Sequence, residues 1–400
     1  MSKCNITNQK LEPFMSFGKM PLANGFIEKK KIKTEKFYEL KIGFNEEISL
    51  FQVLDLPKFS NTIYKNYPFF THKSKFMINH FNKCAKWLKK NFLESRSNLF
   101  EIGSNDGTML KNFKNTSINA LGIDPSKNVA KFANEKGIKT LDIFFNKKNI
   151  NKLKKYHKKT KVIFAANVFC HIQDLLDVIY CVDQLLTHDG FFIFEEPYLG
   201  SMYKNVSYDQ LYDEHIYMFS INSIMKIFNL YDFQLLDVIP QNTHGGSIRY
   251  IISRKSKYKI KKSVYSFLKY EDINNISNIE GCTSFKENCL KSKEKTIKNL
   301  NKLKTQNKKI CGYGATAKST TVLNYCKIGP EIIDCIYDTS IEKINKYSPG
   351  MHIPIISMNK FKNNKYDFTY LFAWNHKKEI FQKEKEYIKR GGKWLSHVKI

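Results

Sequence analysis

The chain has 400 residues, of which 42% are hydrophobic and 14% aromatic. That is enough apolar side chain for two or three domains with real cores, and it excludes both a wholly disordered chain and a disulfide-stapled miniprotein. Against 66 basic residues stand 37 acidic ones, a net charge of +29 that first suggests nucleic acid as a partner. The lysines are scattered, however, as a solvated surface in an AT-rich genome would have them, and a basic cleft attracts a diphosphate-bearing small molecule equally well.

In chain order, residues 1 to about 70 show little regular period, with strand-like runs at Phe37 to Ile42 and Ile48 to Leu54. The start, MSKCNITNQK, has no apolar signal core, and no stretch approaches the roughly eighteen apolar residues of a membrane span. Apolar residues at helical spacing predict a helix over 73–93. Strand and helix then alternate: strands at Asn98 to Ile102, Ala120 to Ile123, Val162 to Ala165 and Phe191 to Glu195, helices at Asn128 to Lys136 and Leu175 to Leu186. This alternation predicts an α/β fold with a parallel sheet covered on both faces. Phe233 to Ile239 and Ser247 to Ser253 read as antiparallel edge strands, and 255–309 as a linker plus a long amphipathic helix. A second strand–glycine turn–helix unit begins at Lys309-Ile310-Cys311-Gly312-Tyr313-Gly314, with further strands at Ile332 to Tyr337 and Tyr366 to Phe372 and a terminal one near Trp394. The expected domains are 1–70, 71–255 and 256–400. Nine cysteines, an odd number with no C-x-x-C pair, fit free thiols in a reducing cytoplasm.

The strongest local signal is FEIGSNDGTML, residues 100 to 110. A strand ending in Glu101, a turn through Gly103, Asn105, Asp106 and Gly107, and then a helix bring main-chain amides against a ligand. Asp124, after the next strand, can accept hydrogen bonds from ribose hydroxyls. The turn is not the G-x-G-x-x-G of a dinucleotide site. In the second unit, Gly312-x-Gly314-x-x-Ala317 does have that spacing; it either binds a nucleotide or packs a helix close to a strand, and the latter is favoured. Tyr212-Asp213-Glu214-His215 follows the strand carrying Glu195-Glu196-Pro197, where open α/β sheets bind ligands. A histidine there is a candidate general base. Asn167 to His171, the His244-Gly245-Gly246-Ser247 turn with Arg249, and Tyr67 are placed to converge on it.

Taken together, EIGSNDG, NVFCHI, YDEHIYMFS, HGGSIR, GYGATAKSTTVLN, SPGMHIPI and FAWNHKKEI resemble the signatures of the S-adenosylmethionine-dependent sugar C-methyltransferases, over most of residues 14 to 400. Those enzymes methylate C3 of nucleotide-linked 4-keto-deoxysugars in deoxysugar biosynthesis. The resemblance implies a class I methyltransferase Rossmann-like domain between a small N-terminal module and a C-terminal Rossmann-like domain. It implies S-adenosylmethionine on Glu101, Gly103, Asn105, Asp106, Gly107, Asp124 and Asn167. His215 would be the base, with Glu214, Tyr212, His171 and Tyr67 around the reacting carbon, although Tyr64 and Phe69 stand near enough to blur the match for Tyr67. The sugar nucleotide would meet His244, Gly245, Ser247, Arg249 and Lys318. Proton abstraction would give an enolate that attacks the sulfonium methyl.

The N-terminal module departs from the family, whose members carry C-x-x-C twice in a four-cysteine zinc site. Here Cys4 has Thr7 where its partner should be, and the second pair falls near Asn45 and Ile48. One thiolate cannot hold a structural zinc, so a metal-free module and no metal at the catalytic site are expected. No specific nucleic acid and no membrane partner are expected either, and a monomer is compatible with the sequence. The rival readings are a sugar O- or N-methyltransferase of the same fold, a nucleic-acid-binding methyltransferase, and an inactive scaffold.

Overall fold

The structure is a computed structural model that describes residues 2–57, 67–157, 159–363 and 365–400. Among these, three strands lie at the N-terminal end: β1 (Pro13–Pro21), β2 (Phe37–Asn45) and β3 (Leu50–Leu54). The middle holds β4 (Asn98–Ile102), β5 (Asn119–Ile123), β6 (Thr140–Leu141), β7 (Thr160–Ala166), β8 (Leu186–Pro197), β9 (Tyr217–Met218), β10 (Phe233–Gln241) and β11 (Ser247–Arg254). The last part holds β12 (Ile310–Tyr313), β13 (Ile336–Asp338), β14 (Ile355–Ser357), β15 (Phe368–Leu371) and β16 (Lys393–Leu395).

The central sheet has the order β10-β11-β8-β7-β4-β5-β6. Its strands β4 to β8 are parallel, and β11 and β10 extend it antiparallel as the sequence predicted. Parallel strands covered on both faces must be apolar throughout, which is why NLFEI and TKVIFAA read so clearly as strands. The helix Lys75–Asn91 opens on Ser74, whose hydroxyl accepts the Met77 amide, and buries Met77, Phe81, Cys84, Ala85 and Leu88 on one stripe. From β4 the chain runs outward through β5 and β6, then returns to the other side of β4 as β7. That reversal makes a crevice at the carboxyl ends of β4 and β7.

A second sheet of order β14-β13-β12-β15-β16 is wholly parallel. Its second strand starts at Ile336, later than the predicted Ile332. Segment 255–309 forms two helices. Lys262–Ile273 is fastened to the central part, because the buried Glu271 carboxylate accepts the amides of Ile221 (2.6 Å) and Asn222 (3.0 Å). Ile279–Thr305 instead buries Cys282, Phe285 and Cys289 in a core shared with Met15, Phe51, Val322 and Ile336. That shared core ties the first and third sheets together.

The N-terminal sheet has the order β1-β2-β3-β9, so its last strand comes from the segment just after His215. β1 was not anticipated; two register irregularities against β2 spoil its alternation. Where the zinc cysteines would stand, Cys4 is buried and its sulfur accepts the Thr7 amide at 3.5 Å. Asn45 donates to Thr7 Oγ1 (3.0 Å) and Gln9 Oε1 (2.7 Å), and its Oδ1 accepts the Ile48 amide (2.9 Å). Neutral hydrogen bonds and the buried Ile6, Leu11 and Ile48 hold the two turns here, and this donor set does not fit zinc.

Candidate active site

At the end of β4 the chain turns through Gly103 (φ +64°), whose amide donates to the Ile123 carbonyl at 2.7 Å. A Cβ on Gly103 would lie 2.2 Å from Val168 on the loop after β7. Glycine therefore lets the two loops on either side of the strand reversal touch. Asp124, at the end of β5, accepts the amides of Asn105 (2.9 Å) and Ser126 (2.8 Å). These groups open on a cavity of about 610 Å³, lined on this side by Glu101, Gly103, Ser104, Asn105, Asp124 and Asn167.

The polar inventory of this wall fits S-adenosylmethionine. Glu101 Oε2 and Asn167 Oδ1 are buried without a hydrogen-bond partner among the described residues. Burial raises the Glu101 carboxyl well above its usual range, with Asp106 and Asp124 adding to the effect, and burial also raises Asp124. Such groups are costly unless a ligand's hydroxyls or ammonium satisfy them. Asp106 and Gly107 work from behind the turn instead. Asp106 Oδ2 accepts the His72 amide (2.8 Å) and contacts His72 Nδ1 (2.7 Å), while its Oδ1 accepts the Thr108 hydroxyl (2.6 Å). Gly107 (φ +75°) passes under Ile138. Asn105 spends its side chain on the segment that carries Tyr67, donating to the Phe69 carbonyl (3.0 Å) and accepting the Thr71 amide (3.1 Å). Asn128 adds two bonds to the Tyr67 main chain. Tyr64 lies outside the described residues; Tyr67 and Phe69 both line the cavity.

The facing wall brings together Tyr212, Glu214, His215, His171, His244 and Lys318. His215 Nδ1 lies 2.7 Å from the Gln210 carbonyl. A carbonyl only accepts, so Nδ1 carries the proton and Nε2 is bare. Nε2 in turn accepts from the Tyr212 hydroxyl at 2.7 Å. Burial holds the His215 imidazole well below its ordinary range, and His171 and Lys318 push it further. The His171 ring meets the His215 ring edge-on, centroids 4.9 Å apart, and burial lowers it to about 4. The Cys170 thiol and these two imidazoles have ligand atoms within 4.8 Å of one another. That spacing would suit a soft metal ion, but Gln210 and Tyr212 already engage both nitrogens of His215. Asp213 is buried and Glu214 half-buried. The first accepts the Ala23 amide (2.9 Å) and the second the Asn24 side-chain amide (2.7 Å). Desolvation raises both carboxyls, and Asp213's charge raises Glu214 further, so Glu214 is the one that keeps its proton.

Three expected substrate contacts, Arg249, Ser247 and Gly245, are not among the residues that line the cavity. Arg249 lies opposite Glu195 in the β11–β8 register and pairs with it at 2.5 Å, its guanidinium 4.4 Å from the Trp87 ring centroid. It neutralises a buried carboxylate that also meets His80 Nε2 at 2.6 Å. Ser247 is buried and donates to the Thr243 carbonyl (3.1 Å). Gly245 (φ +87°) is pressed against Trp374, where a Cβ would come within 2.2 Å, and so lets His244 reach the cavity. Reasoning from sequence overlooked Glu196, whose Oε1 accepts the amides of Val168 (2.9 Å) and Phe169 (2.6 Å) and so sets the loop that carries His171. Burial pushes its carboxyl up to about 7. The acid pair at the end of β8 was its only signal. Asn24 and the cavity-lining His376 were also unassigned.

Residues 76–238 match the family model described as a methyltransferase domain, and residues 242–398 match that described as a C-methyltransferase C-terminal domain. The chain is 26% identical over 384 residues to the C-methyltransferase NovU of Streptomyces niveus, a match covering 95% of this chain and 91% of that one. The chain is an S-adenosylmethionine-dependent methyltransferase. Both family models and the curated relative concern methyltransferases, two of the three specifically C-methyltransferases. Among solved structures, an S-adenosylmethionine-dependent methyltransferase from Clostridium acetobutylicum is 14% identical (TM-score 0.35), covering 46% of this chain and 93% of that one. The plantazolicin methyltransferase BpumL, in complex with SAH, is 12% identical (TM-score 0.35), covering 44% of this methyltransferase and 82% of that chain. No helix among the described residues is long and apolar enough to cross a membrane.

Proposed function

We propose that this methyltransferase acts on C3 of a nucleotide-linked 4-keto-deoxysugar, in the cytoplasm, where its nine free cysteines stay reduced. The observation that carries the reading is the Tyr212–His215 pair, a neutral imidazole with its basic nitrogen bonded to a phenol at the wall facing the cofactor-fitting turn. S-adenosylmethionine, when bound, supplies an electrophilic methyl group. Methylating carbon needs a carbanion, and a proton beside a ketone is acidic enough to remove when base and oxyanion partner are fixed in place. The Gln210 carbonyl locks the His215 tautomer. As the C3–H bond breaks, Tyr212 Oη receives that proton while its own passes to His215 Nε2, so the two side chains act as one base. Protonated Glu214 is a donor for a sugar hydroxyl, and Glu196 keeps His171 at the edge of the reacting centre.

The test is mass spectrometry of nucleotide 4-keto-6-deoxysugars and their 4-hydroxy counterparts, each incubated with enzyme and S-adenosylmethionine. The reading expects one keto sugar to gain a single methylene mass and its reduced form to gain none. Methylation of the 4-hydroxy form would favour the O-methyltransferase reading. His215→Asn should bind both ligands yet lose methyl transfer by several powers of ten; near-normal turnover would remove His215 from the base role.

A further inference from the structure

Among the described residues, the cavity wall contains six acidic ones, namely Glu101, Asp124, Asp174, Asp177, Asp213 and Glu214, but a single lysine and no arginine. In a chain of 66 lysines and arginines, that lysine, Lys318, is singular. It stands second in the helix Ala317–Cys326, is 8% exposed, and its Nζ has no hydrogen-bond partner among the described residues. Its Nζ lies over the face of Trp374, 4.8 Å from the ring centroid, a contact that tolerates a cation without satisfying its donors.

The carboxylate whose charge reaches Lys318 is that of Asp209. Asp209 Oδ2 accepts the Trp374 indole N–H at 2.6 Å, and Oδ1 faces His397 Nε2 at 3.3 Å. Lys318 lines the same cavity as His215, His244 and His376, and its charge lowers all three imidazoles. An unpaired buried ammonium destabilises a fold. Burial lowers Lys318 and the charge of Asp209 opposes that; a negative charge developing on a ligand in the cavity would add to what holds the ammonium.

We propose that Lys318 is a catalytic cation whose ammonium receives the negative charge that develops on the ketone oxygen when the neighbouring ring carbon is deprotonated. The inference rests on the ketosugar reading above and adds the group that reading lacks. In the step, the C3–H bond breaks and its proton ends on the Tyr212–His215 pair. The electron pair moves to the C4 oxygen, and one Lys318 N–H donates to that oxygen. No covalent bond forms to Nζ. The second glycine-turn domain thus supplies the charge that the base on the central domain needs opposite it.

The experiment is exchange of the C3 proton of a dTDP-linked 4-keto-6-deoxyhexose in D₂O with S-adenosylhomocysteine present, followed by NMR, so that the readout does not depend on methyl transfer. Lys318→Met should slow exchange by about 100- to 1000-fold, the usual cost of removing an oxyanion partner, while S-adenosylhomocysteine affinity stays within about twofold of wild type. Lys318→Ala, which leaves a space, should recover part of the rate on addition of ethylammonium. Wild-type exchange rates in both variants would overturn the proposal and leave the ketosugar reading standing. Covalent trapping of Lys318 by borohydride would also overturn it, since the lysine would then be a nucleophile. Absence of exchange in the wild-type enzyme with every 4-keto sugar offered would sink the ketosugar reading and this inference with it.

Discussion

The molecule builds the same strand–turn–helix device twice and uses the copies differently. In the first, Gly103 N donates to Ile123 O, and Asp124 accepts the amides of Asn105 and Ser126. In the second, Gly314 N donates to Tyr337 O, and Asp338 accepts the amides of Ala315 (2.6 Å) and Ser340 (2.7 Å). The first turn faces the cavity with partnerless polar atoms. The second is plugged, because Lys343 donates to the Ala315 carbonyl at 2.7 Å. Its helix is buried from Lys318 to Cys326 and bonded to the rest of the chain through Thr320 to the Ala23 carbonyl and Thr321 to the Leu211 carbonyl. A glycine turn with a downstream acid is thus a way of closing a strand–helix corner. Whether it binds a ligand is decided by what packs over it.

The largest difference between the two turns should come from substituting their glycines. Gly103→Ala puts a methyl group 2.2 Å from Val168 at a positive φ, and calorimetry should show S-adenosylhomocysteine affinity falling by about 100-fold or more, as expected when a turn that carries the ligand is displaced. Gly314→Ala places its Cβ 2.9 Å from Ala373, also at a positive φ. It should lower stability by about 1–3 kcal/mol in a denaturant titration while leaving that affinity unchanged. Equal losses of affinity would erase the distinction.

A middle-sized effect concerns pH. The Glu196 carboxyl rises from 4.5 to about 7 in the folded protein, so the stability it contributes is full below 4.5 and is lost as pH climbs through 7. Glu196→Gln keeps an oxygen for the Val168 and Phe169 amides but does not titrate. Its melting temperature should therefore gain a few degrees relative to wild type between pH 5 and pH 8. A pH-independent gap would mean that the carboxyl is already ionised at pH 5. The smallest effect is at the plug. Lys343→Met removes one bond to Ala315 and should cost about 1 kcal/mol, with no change in cofactor affinity.

How far the sequence was readable depended on how local each feature is. Continuous apolar runs such as residues 162–165 and 191–194 are dictated by burial on both faces and were plain. β1, bent by its two irregularities, was not. Tyr212 and His215 stand three residues apart, so the pair could be found within one segment. Arg249 looked like a substrate contact because it follows a glycine turn. Its real partner, Glu195, lies 54 positions away and meets it only through strand register. Glu195 and Glu196 are neighbours in sequence, but they point to opposite faces of β8, one toward Arg249 and the other toward the His171 loop, as strand alternation requires. That split of roles, and the isolation of Lys318, depend on which elements meet across the cavity.

Whether carbon, rather than oxygen or nitrogen, receives the methyl group can be read from S-adenosylmethionine labelled with ¹³C in that methyl. For C-methylation, the product's labelled carbon should resonate with aliphatic C-methyl groups and couple through one bond to a sugar ring carbon. A labelled signal among methoxy or N-methyl carbons, with no one-bond coupling to the ring, would contradict it.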